Sequence, residues 1–267
     1  MKKRVISAVV LLAISLSCVF IHPITRVLFF AAAGARCAWE LSVNLEKLKV
    51  GCSARVMMCY ILSQAILVIG KAPTVAYIIC FIAAVYLALF SGVHRQGVSG
   101  GGAVCTVAAL SYPCLLFVLI MRISVCEIWL ETLLIACVST WVCDCFALLG
   151  GMKFGKRKIA PLVSPNKTVE GCISGAVSSV IAGFGLYYAL TFFSPIPLWL
   201  CLVTALVAST MGQIGDLAES LVKRMIGIKD FSDLIPGHGG MFDRADSLLF
   251  SIPTTYLCLT LAGFPVV

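Results

Sequence analysis

Apolar runs close to the length of a membrane-spanning helix recur along the whole chain of 267 residues. A spanning helix needs about 20 mostly apolar residues to cross the hydrocarbon core of a bilayer. The mean hydropathy of +1.05, with only 12% charged residues, excludes a soluble globular domain. The sequence lacks the alternating pattern of an outer-membrane barrel, so we predict an all-α, polytopic transmembrane helical bundle.

We predict about nine spanning helices in a single integral membrane domain over residues 1–267, divided into N-terminal membrane helices (1–125) and a half that carries the polar motifs (126–267). The spans are expected at residues 5–21, 24–42, 55–71, 73–93, 104–122, 128–149, 172–193, 197–215 and 247–265. The second span contains Arg26, Arg36 and Glu40, so it could lie partly in the interface. The first could be a signal peptide, but it lacks a small-x-small cleavage site, which favours an uncleaved helix.

The placement of basic residues predicts the orientation. With a cytoplasmic N-terminus, the loops 1–4, 43–55, 94–103, 150–171 and 216–246 are cytoplasmic, and they hold 16 of the 20 Lys and Arg residues. This asymmetry is the positive-inside pattern. The net charge of +8 is therefore mainly a topology signal and does not indicate a nucleic-acid partner. Every polar motif falls on the cytoplasmic side, where nucleotides and anionic headgroups are found.

Two features resemble functional sites, but a structural role explains each of them more simply. Most of the 14 cysteines lie inside apolar runs, where they act as small hydrophobic residues, and Cys143 and Cys145 lack zinc-site spacing. The glycine-rich stretch 97–102 lacks the strand and the Gly-Lys-Ser/Thr of a phosphate-binding loop, so we expect a flexible connector.

The loop between the sixth and seventh spans carries the first polar motif. Asp144 lies near the end of the sixth span, and a basic run follows it. We expect Ser164 and Pro165 to cap and begin a helix, which would leave free N–H groups beside Lys167 and Thr168. Such an arrangement could be a phosphate site or an ordinary capped helix.

The chain is organised around residues 220–246, and the end of the eighth span leads into this stretch. Asp216, Glu219, Ser220 and Lys223 are spaced to share one helical face, which could be a salt-bridge face in water or a polar pocket at the membrane boundary. The location favours the pocket, because charged groups inside a membrane protein are kept where polar ligands must bind.

Further along this stretch, Gly239 and Gly240 permit close backbone approach to a ligand. Asp243 and Asp246 are three residues apart and can face one point, and clustered carboxylate oxygens suit Mg²⁺ rather than Zn²⁺. His238 could be a general base or could order the loop through a hydrogen bond. These residue types indicate metal-assisted transfer of a nucleotidyl or phosphoryl group at the cytoplasmic membrane face.

A long motif covers the whole of residues 220–246. It reads Ser220-x-Val-Lys-Arg-x4-Lys229-Asp-x-Ser-x2-Ile-Pro-x-His238-Gly-Gly-Met-x-Asp243-Arg-x-Asp246. The motif resembles the signature of the phosphatidate cytidylyltransferases, also called CDP-diglyceride synthases. The stretch 164–171 and the pair Gly215-Asp216 are also similar to that family. The pair Trp39-Glu40 is similar to it more weakly.

The resemblance implies an enzyme of phospholipid biosynthesis, located in the bacterial inner membrane, that converts CTP and phosphatidate to CDP-diacylglycerol and diphosphate. It implies Mg²⁺, with K⁺ as a second ion, and a homodimeric assembly. The resemblance and the residue chemistry together give three sets of site residues. The catalytic residues are Asp216, Asp243, Asp246 and Lys223. The substrate-binding residues are Ser164, Lys167, Thr168, Ser220, Arg224, Lys229, His238, Gly239, Gly240 and Arg244. The metal ligands are Asp216, Asp243, Asp246 and Asp144.

The chain departs from the family pattern at three positions. The family often has Asp-x-x-Ala-Tyr where this chain has Asp144-Cys-Phe-Ala-Leu, which displaces the aromatic residue to Phe146. It usually has lysine where Asn166 stands and a larger apolar residue where Ala245 stands.

Three other functions fit the residues less well. A polyprenol kinase would transfer the γ-phosphoryl group of CTP instead. A CDP-alcohol phosphatidyltransferase would need an Asp-x2-Asp-Gly-x2-Ala-Arg motif, which this sequence lacks. An ion-coupled transporter would place its polar groups near the membrane midplane rather than at one face.

Overall fold

A computed structural model describes residues 13–94, 100–192, 194–234 and 239–264. Helix α1 covers residues 13–21 of this part of the chain. The further elements are α2 (Pro23–Glu46), α3 (Ala54–Ile69), α4 (Thr74–His94), α5 (Gly100–Ala109), a π-helical turn (Leu110–Cys114), α6 (Leu115–Ile123), α7 (Trp129–Phe154), β1 (Lys158–Ala160), β2 (Ser164–Thr168), α8 (Val169–Leu190), α9 (Leu198–Ile226) and α10 (Phe242–Leu261). The prediction of an all-α membrane bundle is confirmed, with one short antiparallel hairpin added.

Within the described residues, five helical segments are long and apolar enough to cross a membrane. They are Thr74–Val93, Gly100–Ile123, Trp129–Phe154, Val169–Leu190 and Leu198–Ile226. Helix α3 is apolar but shorter. The count of nine spans and the cytoplasmic N-terminus therefore stay predictions.

The chain divides into two compact units, residues 1–125 with 225–244, and residues 126–224 with 245–267. In the first unit, α2 packs on α3 and α6 around buried residues such as Val27, Ile61 and Met121. The polar side chains Arg26 and Glu40 of α2 are buried inside this unit.

In the second unit, α7 and α8 pack closely along their length. A Cβ added at Gly171 or Gly175 would lie 2.6 Å from a carbonyl oxygen of α7, so only glycine permits this approach. Small residues at helix contacts are typical of membrane bundles, because they let the backbones come near each other. A buried apolar cluster that includes Ile135, Leu200 and Leu259 also lies in this unit.

Two local predictions are wrong. Ser164 does not cap a helix, because residues 164–168 form β2 and Thr168 caps α8 instead, its hydroxyl oxygen accepting from the backbone N–H of Gly171 at 3.1 Å. Gly100–Gly102 are the first turn of α5 rather than part of a connector, and residues 95–99 lie outside the described residues.

Candidate active site

A cluster of three carboxylates lies in the second unit. Asp216 and Glu219 come from α9 and Asp246 comes from α10, and one oxygen of each lies within 4.8 Å of the others. Glu219 is fully buried, whereas the other two are partly exposed. The predicted helical face of α9 is therefore present, and it faces a carboxylate from a second helix.

Gly215 explains how α10 comes so close to α9. A Cβ at this position would lie 2.6 Å from the carbonyl oxygen of Asp246 and 2.9 Å from the ring of Phe250. Because glycine has no Cβ, the two backbones approach to a distance that any other residue would block. This contact sets the separation between Asp246 and the two carboxylates of α9.

Two lysines neutralise part of the negative charge. Lys167, at the end of β2, places its Nζ 2.5 Å from Asp216 Oδ2 and donates to the carbonyl oxygen of Gln213 at 3.5 Å. Lys223, one turn along α9, places its Nζ 2.5 Å from Glu219 Oε2. Three carboxylates and two ammonium groups leave a net negative charge, which favours a cation at this position.

Burial and charge repulsion raise the pKa of the third carboxylate, that of Asp246. Burial, and after it the neighbouring Asp216 carboxylate, raise the pKa of Asp246 to about 6, while the Ser247 N–H and Lys223 act in the opposite direction. A bound cation would reverse this balance by stabilising the ionised carboxylates. The donor set of carboxylate oxygens fits Mg²⁺, which prefers hard oxygen ligands.

Other predicted residues surround this cluster within the second unit. Ser220 Oγ donates to Asp216 Oδ1 at 3.4 Å. Asp144, on α7, interacts electrostatically with Asp216 and Lys167, although it is not one of the three clustered carboxylates. Arg224 donates from its Nε to the carbonyl oxygen of Val163 at 3.1 Å and so ties α9 to the hairpin.

The hairpin itself is fixed to the start of α8. Glu170 Oε2 accepts from the backbone N–H groups of Lys156 and Arg157 at 2.9 and 3.1 Å. Ser164 pairs with Ala160 in the strand ladder. The hairpin therefore presents Lys167 from a β-strand, where the sequence had suggested the N-terminus of a helix.

The remaining predicted residues belong to the first unit. Asp243 Oδ2 accepts from the backbone N–H groups of Phe231 and Gly240 at 2.9 and 2.8 Å, so this oxygen links the backbones of these two residues. Gly239 has a φ of +83°, which favours glycine. Lys229 and Arg244 are exposed, and His238 lies outside the described residues. A metal-binding role for Asp243 stays a prediction.

Two acidic residues were missing from the predicted site. Glu219 was recognised on the polar face of α9 but was not assigned a role, although its spacing of three from Asp216 gave the signal. Glu40 was noted as a polar interruption of an apolar helix and as part of a weak resemblance to the family, but it was not assigned a role. In the structure it is completely buried and accepts four hydrogen bonds.

Comparison with known proteins adds a family match and three relatives. The model of a family described as "Cytidylyltransferase family" matches residues 2–262. The chain is similar to proteins named phosphatidate cytidylyltransferase from three bacteria. For the Staphylococcus saprophyticus protein the identity is 41% over 130 residues, 49% of each chain. For the Staphylococcus haemolyticus protein it is 39% over 130 residues, again 49% of each chain. For the Bacillus subtilis protein it is 44% over 126 residues, 47% of this chain and 46% of that one. The chain thus spans about half the length of the curated relatives it matches.

Proposed function

We propose, from the premise that this chain belongs to the cytidylyltransferase family, that it transfers the cytidylyl group of CTP to phosphatidate. The products would be CDP-diacylglycerol and diphosphate. The relatives named phosphatidate cytidylyltransferase support this choice of acceptor. The structural observation that carries the proposal is the cluster of Asp216, Glu219 and Asp246 with its two lysines, because phosphoryl-group chemistry depends on positioning and charge neutralisation.

The reaction exchanges one phosphorus–oxygen bond for another. A phosphate oxygen of phosphatidate bonds to the α-phosphorus of CTP, and the bond from that phosphorus to the oxygen bridging to the β-phosphate breaks. Diphosphate leaves with the electron pair. A phosphomonoester carries a charge of about −1.5 to −2 near pH 7, so the lipid phosphate is nucleophilic without a separate general base.

The three clustered carboxylates would hold Mg²⁺, with Asp144 of the same unit as a further candidate ligand. For Asp243, of the first unit, a metal-binding role rests on the sequence and its family resemblance alone. A bound Mg²⁺ would polarise phosphoryl oxygens as a Lewis acid. Lys167 and Lys223 would bind phosphate oxygens and offset the charge that develops on diphosphate. Each lysine already lies against a carboxylate of the cluster, so its ammonium group is held in place before substrate arrives.

Further contacts to the substrates are proposed for the other predicted residues of both units. They are Ser164, Thr168, Ser220, Arg224, Lys229, His238, Gly239, Gly240 and Arg244. The site would face the cytoplasm from an integral position in the bacterial inner membrane, so that CTP arrives from water and phosphatidate from the bilayer. K⁺ as a second ion and a homodimeric assembly belong to the same proposal.

The test uses purified protein in detergent with phosphatidate, Mg²⁺ and CTP labelled at the α-phosphorus. We expect label in the lipid extract with the wild-type protein and its loss in the Asp246→Asn variant. Glu127→Gln is the matched control, because Glu127 is an exposed acidic residue of the same unit. Label that stays in the aqueous phase, with folded wild-type protein and lipid present, would refute the proposal.

A further inference from the structure

Glu40 is a fully buried carboxylate in the C-terminal half of α2, and its side chain has no exposed surface. Its Oε1 accepts from Ser232 Oγ at 2.7 Å, Arg36 Nε at 3.1 Å and the Met241 N–H at 3.2 Å. Its Oε2 accepts from the Phe242 N–H at 3.0 Å. Three of these four donors belong to residues 232–242, although Glu40 lies about 190–200 positions earlier in the chain.

Asn44, one helical turn after Glu40, makes a second hydrogen-bonded connection between α2 and this part of the chain. Its Nδ2 donates to the carbonyl oxygen of Phe231 at 2.8 Å, and Lys47 Nζ donates to its Oδ1 at 2.6 Å. The rings of Phe231 and Phe242 lie 4.7 Å apart between centroids. The two ends of the segment from Phe231 to Phe242 are thus tied to one face of α2 and to each other.

The arrangement around Glu40 is specific to a carboxylate. A buried charge is costly unless hydrogen bonds compensate it, and here four donors converge on two oxygens. Phe242 is the first residue of α10, whose free N–H groups and dipole favour an anion. A Cβ at Gly240 would lie 2.6 Å from Glu40 Oε2, so glycine leaves the room that the carboxylate occupies.

We propose that Glu40 is a positioning residue for cytidylyl transfer: it fixes the described residues 231–234 and 239–242 to α2 and thereby orients the substrate-binding groups that lie in and beside them. The inference rests on the proposed function. Those groups are Lys229, Gly239, Gly240 and Arg244, and all of them belong to the same unit as α2. Glu40 itself touches protein donors on both of its oxygens and is not a substrate ligand.

The decisive variant is Glu40→Gln, which keeps the size of the side chain. A glutamine amide has one acceptor oxygen and one NH₂ group, so either orientation places NH₂ against a donor. The less damaging orientation keeps the oxygen beside Ser232 and leaves the Phe242 N–H without an acceptor. Loss of a charge-assisted hydrogen bond corresponds to a change of roughly 10- to 100-fold. We expect the KM for CTP to rise by this factor.

The matched control is Glu46→Gln, because Glu46 lies on the same helix and is exposed. It should leave the KM for CTP and the thermal unfolding temperature unchanged. Ser232→Ala is the second test variant: it removes one of the four donors to Glu40, and with it the hydroxyl oxygen that accepts from the Leu234 N–H at 3.3 Å. It should raise the KM for CTP by roughly threefold, as expected for one hydrogen bond.

Hydrogen–deuterium exchange without substrate supplies a readout that does not depend on activity. We expect faster exchange of the amides of residues 240–242 in Glu40→Gln than in the wild-type protein, with exchange in α7 unchanged. If the wild-type protein transfers no label, the proposed function fails, while the exchange result still tests whether Glu40 fixes the segment.

Two results would overturn the positioning role. The first is a wild-type KM for CTP in Glu40→Gln with normal exchange at 240–242. The second is a loss of activity that only follows the unfolded fraction, with an unchanged KM in the folded remainder. Should Glu40→Gln fail to fold, a wild-type KM for CTP in Ser232→Ala refutes the proposal.

Discussion

Replacing Gly215 by alanine tests whether the approach of α9 and α10 builds the carboxylate cluster. The new Cβ would lie 2.6 Å from the carbonyl oxygen of Asp246, and the helices would have to separate by about 0.4 Å to relieve this contact to 3.0 Å. Overpacking of this kind costs about 1–3 kcal/mol of stability. The separation also moves Asp246 away from Asp216 and Glu219, since these residues lie on the two helices concerned.

The expected effect on activity follows from the size of this shift. A misplacement of about 1 Å costs roughly 100-fold in rate, so a shift of about 0.4 Å corresponds to roughly sixfold. We expect Gly215→Ala to lower the rate of transfer from α-labelled CTP by this factor and to raise the Mg²⁺ concentration that gives half-maximal rate.

The control for this variant is Gly185→Ala in α8, where a Cβ meets nothing within 4 Å. It should keep the wild-type rate and Mg²⁺ dependence, because it adds a methyl group to open space. A Gly215→Ala protein with wild-type rate and unchanged Mg²⁺ titration would refute the idea that this helix contact sets the geometry of the cluster.

Three more predictions concern single groups of the second unit. The Mg²⁺ concentration for half-maximal rate should rise by up to about tenfold per pH unit below pH 6, because protons compete with the metal at Asp246, whose pKa is raised to about 6. Mg²⁺ titrations between pH 5 and 8 check this, and a Mg²⁺ requirement that does not change with pH would contradict it. Lys167→Met should lower the transfer rate on the order of 100-fold, because it removes a positive charge beside Asp216. Lys158→Met is the control, since Lys158 is exposed on the same hairpin, and equal rates in both variants would count against a role for Lys167. Thr168→Val should lower the free energy of unfolding by about 1 kcal/mol because the side-chain cap of α8 is lost, whereas Thr168→Ser keeps the capping hydroxyl and should not. Thermal unfolding measures this difference, and equal stability of the two variants would argue against the cap.

Helices and the polar face of α9 could be predicted because both depend on periodicity within a short stretch of sequence. Apolar runs predict helices, and the spacing of Asp216, Glu219 and Lys223 predicts a shared face. The arrival of Asp246 at this face could not be predicted from periodicity, because it depends on the contact between α10 and Gly215. Only the family resemblance had placed Asp246 and Asp216 in one metal site. Its neighbour Asp243 was expected to face the same point, yet its Oδ2 binds the backbone of its own segment.

The hairpin shows where local sequence rules mislead. Ser164 and Pro165 are good residues for the start of a helix, but the strand pairing of Lys158 with Thr168 and of Ala160 with Ser164 takes precedence. The cap then falls to Thr168, four residues later. The role of Glu40 was hidden for a related reason, since its partners lie near the other end of the chain and short-range patterns carry no information about them.

The most direct measurement of the central claim follows both ends of one CTP molecule. CTP labelled with different isotopes at the α- and γ-phosphorus is incubated with purified protein, Mg²⁺ and phosphatidate, and the lipid and aqueous fractions are counted for both isotopes. The account predicts α-label in the lipid fraction and an equal amount of γ-label in diphosphate. Appearance of γ-label in the lipid fraction, or an α-label that never leaves the aqueous phase, would contradict it.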